Sequence, residues 1–156
     1  MLNNDILRNL RYMLDIGDTQ MADIFKLGGA SVDKADITAF LTKEGEEGYA
    51  ACNDILLAQF LDGLVYFRRG RDESRPVYPF EPPMTNNLVL KKVRVAFELK
   101  DDDMHAIMQG VECPVSKPEM SALFRKPGHS NYRACGDQFL RNFLRGLTQR
   151  VRTQGS

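Results

Sequence analysis

Apolar residues fall at helical spacing in four stretches of the first half of the chain. Ile6, Leu7, Leu10 and Leu14 form one stripe; Met21, Ile24 and Phe25 a second; Ile37, Phe40 and Leu41 a third; Leu56, Leu57, Phe60, Leu61 and Leu64 a fourth. The spacing is that of a helix with one buried face. Four matching stripes return in the same order: Val89, Leu90, Val93 and Phe97; Met104, Ile107 and Met108; Met120, Leu123 and Phe124; Phe139, Leu140, Phe143, Leu144 and Leu147. No stretch sustains the alternation of a strand. The pattern predicts an all-α protein with about four helices in each half.

Polar punctuation sets the expected ends. Asn4 is a good N-cap for the first helix, and second helices are expected to start near Asp18 and Asp101. Ser116-Lys117-Pro118-Glu119 reads as a capping box with proline in the first turn, matched by Asp33 and Asp36. Gly45 and Gly128 stand where a helix would need a C′ glycine. Fourth helices are expected over Asp54–Arg68 and Asp137–Arg152, with Asp54 and Asp137 as their caps.

The recurrence is a duplication. Shifted by 83 residues, the chain matches itself without a gap: Tyr49-x-Ala51-Cys52-x-Asp54 returns as Tyr132-x-Ala134-Cys135-x-Asp137, and Phe60-Leu61-x-Gly63-Leu64 as Phe143-Leu144-x-Gly146-Leu147. The expected organisation is two tandem copies of a four-helix unit related by pseudo-symmetry, at 1–69 and 86–156. The connector, 70–85, carries Pro76, Pro79, Pro82 and Pro83 and should be extended.

Composition changes the picture little. Apolar residues make up 43% and charged residues 27%, as in globular proteins. No run is long and apolar enough to span a membrane, and Met1-Leu2-Asn3-Asn4-Asp5 does not open a secretory signal. Three cysteines without a CxxC suit a reducing compartment, so a cytoplasmic address is expected.

Charge is more informative. The net charge is zero overall, yet residues 1–69 carry seven basic and eleven acidic side chains, and residues 85–156 carry twelve and seven. Arg141, Arg145 and Arg152 share one face of the last helix by i, i+4, i+11 spacing, where the first copy has Ala58, Asp62 and Arg69. The stripe is therefore not demanded by the shared fold. It is either a solvated face or a contact for an anionic partner: an acidic protein, nucleic acid, or the acidic first unit of another chain.

Other constellations favour structural readings. Cys52 and Cys135 read as small buried residues, since the first copy has no histidine to activate a thiol. Cys113, Cys135, His105 and His129 lack the paired spacing of a structural zinc site, and Asp101-Asp102-Asp103 lacks that of a calcium loop; no cofactor or metal is expected. The three aspartates suit a helix start. Arg11 and Arg94 recur mid-helix between apolar positions, either tying two helices together or anchoring a ligand. Gly63 and Gly146 interrupt strong helical patterns, which implies a close helix crossing. Gly28-Gly29 between two helical stretches gives a faint helix-turn-helix signal, absent from the second copy.

Asn3-Asn4-Asp5-Ile6-Leu7-Arg8, its counterpart Asn86-Asn87-Leu88-Val89-Leu90-Lys91-Lys92-Val93-Arg94, and the run Cys135-Gly136-Asp137-Gln138-Phe139-Leu140-Arg141 through Phe143-Leu144-Arg145-Gly146-Leu147 carry a resemblance. The chain resembles the YehS-like bacterial tandem-repeat family, a domain of unknown function. The resemblance spans nearly the whole chain and implies a two-copy helical protein of a bacterial cytoplasm; it implies no activity and no site residues. The residues themselves lead to the expectation of a non-enzymatic helical interaction module binding a protein partner, with nucleic-acid binding by the basic second repeat as the alternative.

Overall fold

The computed structural model describes residues 1–71, 73–74 and 79–154. Among the described residues the regular structure is entirely helical, in the order α1 Asn3–Leu14, α2 Asp18–Leu27, α3 Lys34–Leu41, α4 Asp54–Arg69, α5 Asn86–Ala96, α6 Asp101–Gly110, α7 Lys117–Ala122 and α8 Asp137–Gln154. Each of the last four starts 83 residues after its counterpart. The duplication is thus one of complete four-helix units. The chain divides into two compact units, Met1–Met84 and Thr85 onward. In the connector, Pro79, Pro82 and Pro83 lie outside any helix, while Pro76 lies outside the described residues.

The first unit is organised by the crossing of α2 and α4. Gly28 and Gly63 meet backbone to backbone there: a Cβ on Gly63 would lie 1.8 Å from the Ile24 carbonyl oxygen, and one on Gly28 would lie 1.7 Å from that of Gln59. The loss of helix propensity at Gly63 is thereby offset by an approach no side chain permits. Phe25 of α2 packs against Phe60 of α4, ring centroids 4.9 Å apart, and against Phe40 of α3 at 6.3 Å. Leu7 and Leu10 of α1 close the core, fully buried.

The second unit repeats this plan more loosely. Val111 replaces Gly28, so a Cβ on Gly146 would meet the Ile107 side chain and carbonyl, both at 2.8 Å, and Val111 at 3.3 Å. Met108 and Leu123 replace Phe25 and Phe40, which removes the ring cluster and leaves a core of methionine and aliphatic side chains around Phe143.

A pair of asparagines closes each unit. Asn4 is 2% exposed. Its amide donates to the carbonyls of Phe40 (3.0 Å) and Ala50 (2.8 Å), and its oxygen accepts the Cys52 N–H (3.0 Å). Asn3 donates to the Cys52 carbonyl and to Asp54 Oδ1 at 3.0 and 2.8 Å. Asn87 and Asn86 reproduce every one of these bonds, onto Leu123, Arg133, Cys135 and Asp137. A loop with no helix of its own thus satisfies its backbone groups on α1 and α5.

This overturns three expected caps, Asn4, Asp54 and Asp137. Asn4 lies inside α1, whose N-cap is Leu2, because its amide is committed to distant backbone. Asp54 lies in the first turn of α4, whose N-cap is Asn53, accepting from the Leu56 N–H at 2.8 Å; Asp54 instead accepts from Asn3 and from the Met84 N–H. Asp137 opens α8 and accepts from Asn86. Gly45 and Gly128 have positive φ, but α3 and α7 end at Leu41 and Ala122, so these glycines shape the following loop. The Asp33–Asp36 capping box is complete. In its counterpart, the Ser116 hydroxyl accepts from the Glu119 N–H and donates to the Glu119 carboxylate.

Candidate functional site

The basic stripe lies on α8. Leu140, Phe143, Leu144 and Leu147 bury one side of this helix, which leaves Arg141, Arg145 and Arg152 exposed on the other. Arg150 falls off the stripe: it reaches back to Asp103 on α6 at 2.5 Å and braces the two helices. The stripe is thus set by the amphipathic register of a helix fixed by its own core.

A second basic surface of the same unit is one that sequence reasoning missed. Lys117, Arg125 and Arg133 line a groove of about 760 Å³ between α7 and the following loop, beside Ser121, Ser130 and Tyr132. Arg133 pairs with Glu119 at 3.4 Å, both side chains being more than half exposed. The signal was available at the repeat offset, for Arg125 and Arg133 stand where the first copy has Thr42 and Ala50. It was hidden because these residues belong to no helical stripe and are brought together only by the loop.

Arg94 and Arg11 part company. Arg94 donates to the Leu99 carbonyl at 3.0 Å and to Asp101 at 2.7 Å, and its guanidinium lies over the Phe124 ring, 4.7 Å from the centroid. It ties the end of α5 to the start of α6. Arg11 is exposed, with no side-chain partner among the described residues, and Leu41 offers no ring where Phe124 stands. The repeated arginine therefore does not mark a repeated site.

Comparison with known proteins decides the family. Residues 3–70 and 86–153 each match the family described as "Protein of unknown function (DUF1456)". The chain belongs to that family. It is 49% identical to "Uncharacterized protein YehS" of Escherichia coli (strain K12), over 96% of each chain. No solved structure matches it. Membership accounts for the two copies and their boundaries and brings no chemistry with it, so any functional reading rests on the surfaces just described.

The remaining candidate chemistry is absorbed by the fold. Cys52 and Cys135 are buried, and their thiols contact the carbonyls of Asn53 and Gly136, each at 3.6 Å. Burial, then the neighbouring Asp54, pushes the Cys52 thiol up to about 12; burial, then Asp137, pushes Cys135 up to about 11. Such thiols are poor nucleophiles. Cys113 accepts from the Asn142 amide at 3.2 Å. Asp101 and Asp103 are held by Arg94 and Arg150, and Asp103 also accepts the Lys100 N–H. Among the described residues no group of three or more potential ligands could hold a metal ion, and no helix is long and apolar enough to cross a membrane. Gly28 serves the α2–α4 crossing, which gives the Gly28-Gly29 pair a packing role.

Proposed function

We propose that the chain is a non-enzymatic helical interaction module that binds an acidic protein partner through its basic second repeat. The observation that carries this reading is the exposed Arg141 and Arg145 on α8, at positions where the duplicated helix α4 carries a buried Ala58 and an Asp62. The same fold is built without these cations, so the shared fold does not require them. Burial of Cys52 and Cys135 argues against a nucleophilic role for either thiol. Three free cysteines and a bacterial relative support work in the cytoplasm.

Nucleic acid is the competing anion. Its binding would be tolerant of sequence and would weaken steeply with salt through counterion release. Titrations with RNA and DNA at two salt concentrations, a sedimentation series, and both repeated with Arg141→Glu/Arg145→Glu separate the readings. A protein contact predicts a defined stoichiometry lost on charge reversal. A charge-reversed protein that matches the wild type throughout reduces the stripe to a solvated face.

A further inference from the structure

The groove beside α7 shares two lining residues with a second, smaller recess. Val115, Leu123 and Phe139 give the recess of about 190 Å³ an apolar lining, and Arg133 and Glu119 line both spaces. One side of the Arg133–Glu119 pair is therefore polar and cationic, with Lys117 and Arg125, and the other is apolar. The pair joining them is exposed and spans 3.4 Å. Exposed pairs of this kind are weakly held, so Arg133 can exchange Glu119 for a ligand carboxylate.

We propose that this groove binds an acidic peptide segment carrying a branched aliphatic side chain, with its carboxylates on Lys117, Arg125 and Arg133 and the aliphatic group in the recess. The inference rests on the reading of the second repeat as a protein-binding module and adds to it a contact separate from the α8 stripe, with the chemistry that contact takes. Charge complementarity selects an anion, and the apolar recess selects against a plain polyanion, which has nothing to place there. A peptide backbone supplies both groups within one short segment. The first copy has Thr42, Ala50 and Glu47 in place of Arg125, Arg133 and Ser130, so the site belongs to the second repeat alone.

The test follows backbone amide shifts of the isotope-labelled full chain. The probes are a short glutamate-rich peptide with one central leucine, the same peptide with alanine there, and oligothymidylate of equal charge. The expected result is shift changes within residues 115–139, with affinity reduced about tenfold when leucine becomes alanine and about tenfold by Lys117→Glu/Arg125→Glu. Loss of peptide binding in Arg141→Glu/Arg145→Glu but not in Lys117→Glu/Arg125→Glu overturns the groove assignment and leaves the interaction reading standing. Absence of shifts with both peptides also overturns the groove assignment. Tighter binding of oligothymidylate than of either peptide overturns both.

Discussion

The side-chain oxygen of Asn4 accepts the N–H of Cys52, 48 residues further along the chain, at 3.0 Å. Asn87 holds Cys135 in the same way at 2.8 Å. A buried amide with three backbone partners is costly to remove, because each partner loses its only replacement for water. Asn4→Ala is expected to destabilise the protein by about 3–5 kcal/mol. Asn87→Ala should cost about 1–2 kcal/mol, since Asn87 lies nearer solvent and water can replace part of its network. Denaturant titration of the two variants checks both the size and the order.

The helix crossings predict a similar asymmetry. At Gly63 a Cβ meets the backbone of Ile24, which cannot move without separating α2 from α4. At Gly146 the obstacle is partly the Ile107 side chain, and the helices already stand further apart. Gly63→Ala is expected to cost about 3 kcal/mol or more despite alanine's better helix propensity, and Gly146→Ala about 1 kcal/mol. Equal melting temperatures for the two variants would contradict the account of the crossings.

These two comparisons show how far the sequence could be read. The stripes headed by Leu7, Phe60 and their counterparts carried the helix order, because burial of one face imposes its own period. The repeat also exposed Gly63 as a crossing point, since glycine inside a helix needs a compensating contact. What it could not show was the partner of a polar side chain. Asn4 has the residue type of a cap and the position of one, and only the return of the 50–52 loop reveals that its amide serves distant backbone. Arg11 and Arg94 part for a related reason: Arg94 has the Phe124 ring beneath its guanidinium, and the equivalent position in the first unit is Leu41, which has no ring. The cluster of Lys117 with Arg125 and Arg133 was hidden because the two arginines lie in loops, which have no periodicity to announce a face shared with α7.

The thiols predict a dependence on alkaline pH. Both folded values lie above the ordinary 9.0, near 12 for Cys52 and near 11 for Cys135. The stabilisation is therefore complete below about pH 9 and is lost as pH rises towards 11–12, because the unfolded chain releases these protons first. Cys52→Ala/Cys135→Ala should flatten that part of the stability profile. In the native wild type at neutral pH both thiols should react slowly with a thiol reagent and rapidly once unfolded. Fast native labelling of both would refute the burial argument.

The central claim is that the basic second repeat contacts an acidic protein. The most direct measurement is affinity capture from nuclease-treated bacterial cytoplasm with the wild type and Arg141→Glu/Arg145→Glu side by side, followed by reconstitution with each purified protein retained only by the wild type. The account predicts at least one acidic protein that rebinds in fixed stoichiometry and is lost on charge reversal. Identical retained sets for the two baits, or no retained protein that rebinds once purified, would contradict it.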